Sequence, residues 1–143
     1  MGNFDYAYTL AGGDDVPSVH DFPVATSQTL KVGDLVELSS GLVIKSTGST
    51  AIPLGVMAQD STSATAGTLV RVSPIVPAQV WRAVASAAAT STLLGARRYD
   101  ITAAQKVDVA DSTNGSMLIV KLGKTSSDVY VTFTRCAFVE IGS

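Results

Sequence analysis

Few residues in this 143-residue chain have the chemistry of a catalyst or a metal ligand. His20 is the single histidine and lies between Val19 and Asp21 in a turn-rich stretch, where nothing holds it against a nucleophile as a general base requires. It reads as a solvated or hydrogen-bonded side chain. Asp14, Asp15 and Asp21 lie close in sequence, but the alternating oxygen ligands and closing glutamate of a calcium loop are missing. The single cysteine, Cys136, excludes an intrachain disulfide and a zinc site built from several thiolates. Between Thr134 and Phe138 it reads as a small buried hydrophobe. Gly123-Lys124-Thr125 has the ending of a phosphate-binding loop, yet Leu118 stands where the first glycine belongs, and a strand runs into the loop with no helix after it. Asn114-Gly115-Ser116 fits a glycosylation acceptor, but the Asn-Gly hairpin signal explains it fully. No Gly-x-Ser-x-Gly elbow is present. No catalytic, cofactor or metal residue is assigned, and no cofactor is expected.

The residues that stand out are suited to binding. Phe4, Tyr6 and Tyr8 alternate with Asp5 and Ala7, and Leu10 continues the alternation. Four of the nine aromatic residues fall within the first 22 positions, which sets this stretch apart from the rest of the chain. Alternation places the three rings on one side of an extended segment, and Gly12-Gly13, Pro17 and Pro23 keep that segment from continuing as a helix. Residues 1–29 therefore read as an extended N-terminal arm, with Phe4, Tyr6, Tyr8 and Leu10 as candidate partner-binding residues. At roughly 3.3 Å per residue, about 22 residues reach around 70 Å, enough to touch a neighbouring molecule. The alternative is an edge strand folded back on its own domain.

Composition points the same way. Charged residues are only 15% of the chain against 46% hydrophobic, with 31 serines and threonines, so much of the surface must be neutral. A neutral surface of this kind suits contact with other protein chains better than the charged solvent shell of a free enzyme. Net charge is −2, and Arg97-Arg98 is the only adjacent basic pair. Nucleic-acid binding needs clustered basic residues to displace counterions, so none is expected. No window approaches the roughly 18 apolar residues of a membrane span, and no basic stretch leads an apolar run as in an export signal. A soluble protein with no membrane partner is expected.

Residues 30–143 read as one β domain. Leu35-Val36-Glu37-Leu38 and Leu42-Val43-Ile44-Lys45 flank Ser39-Ser40-Gly41 as a hairpin, and Leu54-Gly55-Val56-Met57-Ala58 follows. Further strands are expected at Leu69-Val70-Arg71-Val72, residues 78–84, residues 97–101, Lys106-Val107-Asp108-Val109, residues 117–122, residues 129–134 and residues 137–141. Asn114-Gly115 should join the strand near Val107 to the one beginning at Met117. Residues 83–94 are the only helix candidate, weakened by Thr90-Ser91-Thr92 and the lack of a sustained apolar stripe. The fold class is all-β, a compact barrel or sandwich of about nine or ten short strands with at most one short helix.

Lys31-Val32-Gly33-Asp34-Leu35-Val36, Leu42-Val43-Ile44-Lys45, Pro53-Leu54-Gly55-Val56-Met57-Ala58 and Ala66-Gly67-Thr68-Leu69-Val70-Arg71-Val72 together resemble the β-rich capsid decoration, or head cement, proteins of tailed bacteriophages. Tyr99-Asp100-Ile101, Val107-Asp108-Val109-Ala110 and Val129-Tyr130-Val131-Thr132-Phe133 are similar in style to segments of phage virion proteins. The resemblance spans roughly residues 30 to 135, and residues 83–98 have no counterpart in it. It implies a protein made in the host cytoplasm that adds to the outer capsid surface of the virion. Its partners would be the major capsid protein and itself, as a homotrimer, and its role to stabilise the shell against internal genome pressure. Another reading is a β module of a phage tail, fibre or surface assembly, or a carbohydrate-binding domain. An exposed Trp81 beside Tyr99 would favour sugar binding, and a buried Trp81 a structural role. An enzyme reading, by similarity to the trimeric all-β dUTPases, rests on Tyr99-Asp100-Ile101 alone. Their glycine-serine phosphate motif and arginine-containing glycine-rich tail are missing.

Overall fold

The computed structural model describes residues 4–9, 18–47, 52–76, 78–95, 98–111 and 115–137. Thirteen strands occur among them: β1 Asp5–Thr9, β2 His20–Pro23, β3 Thr29–Leu30, β4 Leu35–Ser39, β5 Leu42–Lys45, β6 Pro53–Met57, β7 Ser61–Thr62, β8 Leu69–Pro74, β9 Gln79–Val84, β10 Arg98–Ile101, β11 Val107–Asp108, β12 Met117–Leu122 and β13 Asp128–Phe133. The only helical turn among the described residues is the 3₁₀ turn Ser91–Leu93. In the helix candidate, the β-branched and aromatic run around Trp81 carries β9 on to Val84, so only that turn remains.

The strands form a six-stranded sheet, β1-β9-β13-β12-β10-β11, a five-stranded sheet, β2-β8-β6-β4-β5, and a two-stranded ladder, β3-β7. The ladders are antiparallel. The expected β4–β5 hairpin forms, with Ser40 at φ 50° and Gly41 at φ 80°, the two positive values that the right-handed twist of a tight hairpin demands. The expected pairing of the Val107 strand with Met117 does not. β10 lies between them, hairpinned to β11 on one edge and paired with β12 on the other, so the chain crosses over through the stretch that includes Gly115. Asn114 and residues 138–141 lie outside the described residues, and Ala137 is not in a strand.

The two large sheets share one plan. In chain order, β2, β4, β5, β6 and β8 lie first-fifth-fourth-second-third across their sheet, and β9, β10, β11, β12 and β13 do the same. The registers coincide as well. Gly55↔Pro74, Val56↔Ser73 and Met57↔Val72 match Met117↔Phe133, Leu118↔Thr132 and Ile119↔Val131. Val36↔Gly55 matches Tyr99↔Met117. The single parallel bridge Val24↔Val43 matches Ala85↔Val107. The hydrogen bonds beside these bridges repeat too. Ala25 N–H donates to the Val43 carbonyl at 3.0 Å, and Ser86 N–H to the Val107 carbonyl at 2.8 Å. The chain is thus a tandem structural repeat of one five-stranded unit. Each sheet curls until its first strand meets its third, but the contact is one bridge and not a ladder, so neither sheet closes into a barrel. The architecture is a general all-β, sandwich-like fold.

Alternation explains how the units pack. Val36, Met57, Val70 and Val72 point into the first unit with Val24, Leu30, Val43 and Leu54. Their neighbours Leu35 and Val56, with Ile75, point the other way and join the second unit's core around Trp81, Met117, Ile119, Val129, Val131 and Phe133. This is why β6 is buried along its whole length. Fully burying each such aliphatic side chain contributes about 1.5–3 kcal/mol.

Candidate partner-binding surface

Of the two readings of the N-terminal segment, an arm reaching a neighbour or an edge strand on its own domain, β1 takes the second within this chain: it pairs with β9, placing Asp5 opposite Arg82 and Tyr6 opposite Trp81. Phe4 is 2% exposed, its ring 6.0 Å from that of Phe133, and its N–H donates to the Gly33 carbonyl at 3.0 Å. Tyr6 meets Trp81 edge-on at 5.6 Å and 78°, and its hydroxyl lies 2.8 Å from Thr9 Oγ1. The rings do not share one face. The register shifts between Tyr6 and Tyr8, a β-bulge, so Tyr8 stands opposite Val80 on the other side of the sheet. Leu10 lies outside the described residues.

Tyr8 is 37% exposed and faces Tyr130 at 6.4 Å between ring centroids. The Lys121 ammonium sits 5.2 Å from the Tyr130 centroid, close enough for a cation–π attraction. Beside them Lys121, Leu122, Gly123, Lys124 and Tyr130 line an open depression of about 260 Å³. Arg82 holds the strands in place, donating from Nη2 to Asp128 Oδ1 at 3.1 Å and reaching Asp5 Oδ2 at 3.9 Å. The patch offers two aromatic rings and two lysine side chains, residue types that bury well against a protein partner at the rings and screen it at the rim. Sequence reasoning named Tyr8 but missed Tyr130 and Lys121, which reach it only through the order β1-β9-β13-β12.

The remaining candidates resolve simply. His20 is exposed, with Nε2 3.1 Å from Ser18 Oγ. Cys136 is buried at 1% exposure among the second unit's core. Gly123-Lys124-Thr125 is the turn between β12 and β13, fastened by Gly123 N–H to the Asp128 carbonyl at 2.9 Å. Trp81 and Tyr99 are 3% and 2% exposed, so neither ring is offered to a sugar. Asp100, 5% exposed, has its carboxyl pushed up from 3.8 to about 6, chiefly by burial. The Ile101 N–H opposes this shift, and Asp111 and Asp108 add to it. Among the described residues no group of three metal-binding side chains is placed to hold an ion.

The chain is thus a tandem all-β fold that carries a surface patch of Tyr8, Tyr130 and Lys121. No family model matches the chain, and no curated protein matches it. Among solved structures it is similar in fold to the crystal structure of the head fiber gp8.5 N base in bacteriophage phi29. The TM-score is 0.51 at 15% sequence identity, covering 83% of this chain and 97% of that one.

Proposed function

We propose that this protein is a structural component of a tailed-phage virion, carried on the outside of the head. The observation that carries this reading is the fold likeness to a phage head-fiber base over 83% of the chain. The buried Trp81 and Tyr99 favour a structural role over a sugar-binding one. The low charge fits a surface largely covered by other chains. In this reading the protein binds the major capsid protein through the patch of Tyr8, Tyr130 and Lys121, while Phe4 and Tyr6 anchor the strand that presents Tyr8. It acts as a homotrimer and stabilises the shell against genome pressure. Three linked patches raise avidity by about 10² to 10⁴ through effective concentration, so weak single contacts suffice.

Co-sedimentation with phage heads tests the patch. Tyr8→Ala combined with Lys121→Glu leaves the protein folded and weakens head binding about tenfold or more. Unchanged binding of the folded double variant contradicts the assignment of this face. Sedimentation equilibrium at micromolar concentration separately tests the trimer, and a monomer both free and on heads contradicts it.

A further inference from the structure

The repeat allows each edge of one unit to be compared with the same edge of the other. In the second unit β1 lies along β9, pairing Asp5, Tyr6, Tyr8 and Thr9 with Arg82, Trp81, Val80 and Gln79. The ladder registers set Asp21 and His20 of the first unit at the positions of Arg82 and Trp81, since His20↔Val72 matches Trp81↔Val131, and Val19 and Ser18, which precede β2, follow in chain order at the positions of Val80 and Gln79. Among the described residues no strand lies along this edge of the first unit. Exposure records the difference. Val80 is 0% exposed and its counterpart Val19 is 48% exposed, although both are valine. Trp81 is buried beneath Tyr6, whereas its counterpart His20 is exposed.

We propose that residues 18–21 form a docking edge that takes an extended strand from a partner protein, with an apolar side chain opposite Val19 and a basic one opposite Asp21. Main-chain hydrogen bonds along an open edge supply affinity, and the side chains opposite supply specificity. The β1–β9 pair shows the geometry, and its charges show which strand fits. Asp5 suits Arg82, 3.9 Å away. Opposite Asp21, the Arg82 counterpart, the same aspartate meets a like charge, which disfavours β1 of a second copy. Asp21 has Arg71 across from it on β8, so a basic partner residue completes a row of alternating charge. The proposal stands on the comparison of the two units and holds whether or not the protein belongs to a virion.

Amide chemical shifts of the whole protein, titrated with two synthetic peptides, test it. One peptide copies residues 4–9, and the other copies them with Asp5→Arg. The arginine peptide should shift the amides of residues 18–21 and bind about fivefold more tightly than the unaltered one. Asp21→Arg, an exposed substitution, should reverse that order. Equal affinity of the two peptides for the unaltered protein overturns the proposal without needing the variant, as do shifts confined to β9. Concentration-dependent shifts of residues 18–21 in the protein alone also overturn it, because a second copy then fills the edge.

Discussion

Gln105 in the second unit supplies the backbone of Leu35 in the first with its hydrogen-bond partner. The Leu35 N–H donates to Gln105 Oε1 at 2.6 Å, and Gln105 Nε2 donates to the Ser46 carbonyl at 2.6 Å. Gln105 is 2% exposed and has φ 64°, the left-handed conformation that Gly41 adopts in the corresponding hairpin at φ 80°. A non-glycine residue is held there at a cost of about 1 kcal/mol, offset by two buried hydrogen bonds that join the units. Gln105→Ala should strand the Leu35 N–H and the Ser46 carbonyl and lower stability by about 2–4 kcal/mol, read from the urea midpoint. A loss below about 0.5 kcal/mol would mean that the clamp does not hold the units together.

Asp100 sets a pH dependence of definite sign. Its folded pKa of about 6 lies above the ordinary 3.8, so between those values the folded state binds more protons than the unfolded state. Its contribution to stability is therefore full below pH 3.8 and is lost as pH rises through about 6. Asp100→Asn should raise stability at pH 7.5 by about 2 kcal/mol and make little difference below about pH 4, as urea unfolding at both values will show.

Gly55 lies in the middle of β6, where a Cβ would run into the Ser73 carbonyl and come within 2.8 Å of Val72 Cγ1. The obstruction is backbone and cannot rotate away. Gly55→Ala should therefore cost about 2 kcal/mol or more in denaturant unfolding, despite alanine's better intrinsic strand and chain-entropy terms.

Phe4 tests whether β1 belongs to the folded body. Phe4→Ala removes a fully buried ring packed on Phe133 and should cost about 3–5 kcal/mol. It should also speed amide exchange at Val80 and Trp81, which β1 covers. A neutral substitution with unchanged exchange would mean that the segment spends its time away from β9.

The sequence makes much of the β scaffold legible because alternation survives in it. Leu35-Val36-Glu37-Leu38, Val70-Arg71-Val72 and Val129-Tyr130-Val131 read directly as strands, and all are. His20-Asp21-Phe22-Pro23 does not, because its exposed polar residues and proline read as a turn until β8 supplies a partner. The repeat is hidden for a related reason. Equivalent positions retain valine at Val19/Val80, Val43/Val107, Val70/Val129 and Val72/Val131. Elsewhere they differ as widely as Gly55/Met117 or Asp21/Arg82, since a ladder needs inward apolar volume and not identity. In the candidate site, the bulge after Tyr6 reverses the side on which Tyr8 emerges, and nothing local to Ala7 announces it. Pairing with the neighbouring strand creates that bulge.

The proposed attachment to the outside of a phage head can be measured directly. The purified protein is mixed with tailed-phage heads, the mixture is sedimented, and the decorated heads are heated. If it attaches there, the protein pellets with intact heads in a fixed, saturable ratio and raises the temperature at which they burst. A folded protein that stays in the supernatant beside intact heads, and leaves the bursting temperature unchanged, contradicts it.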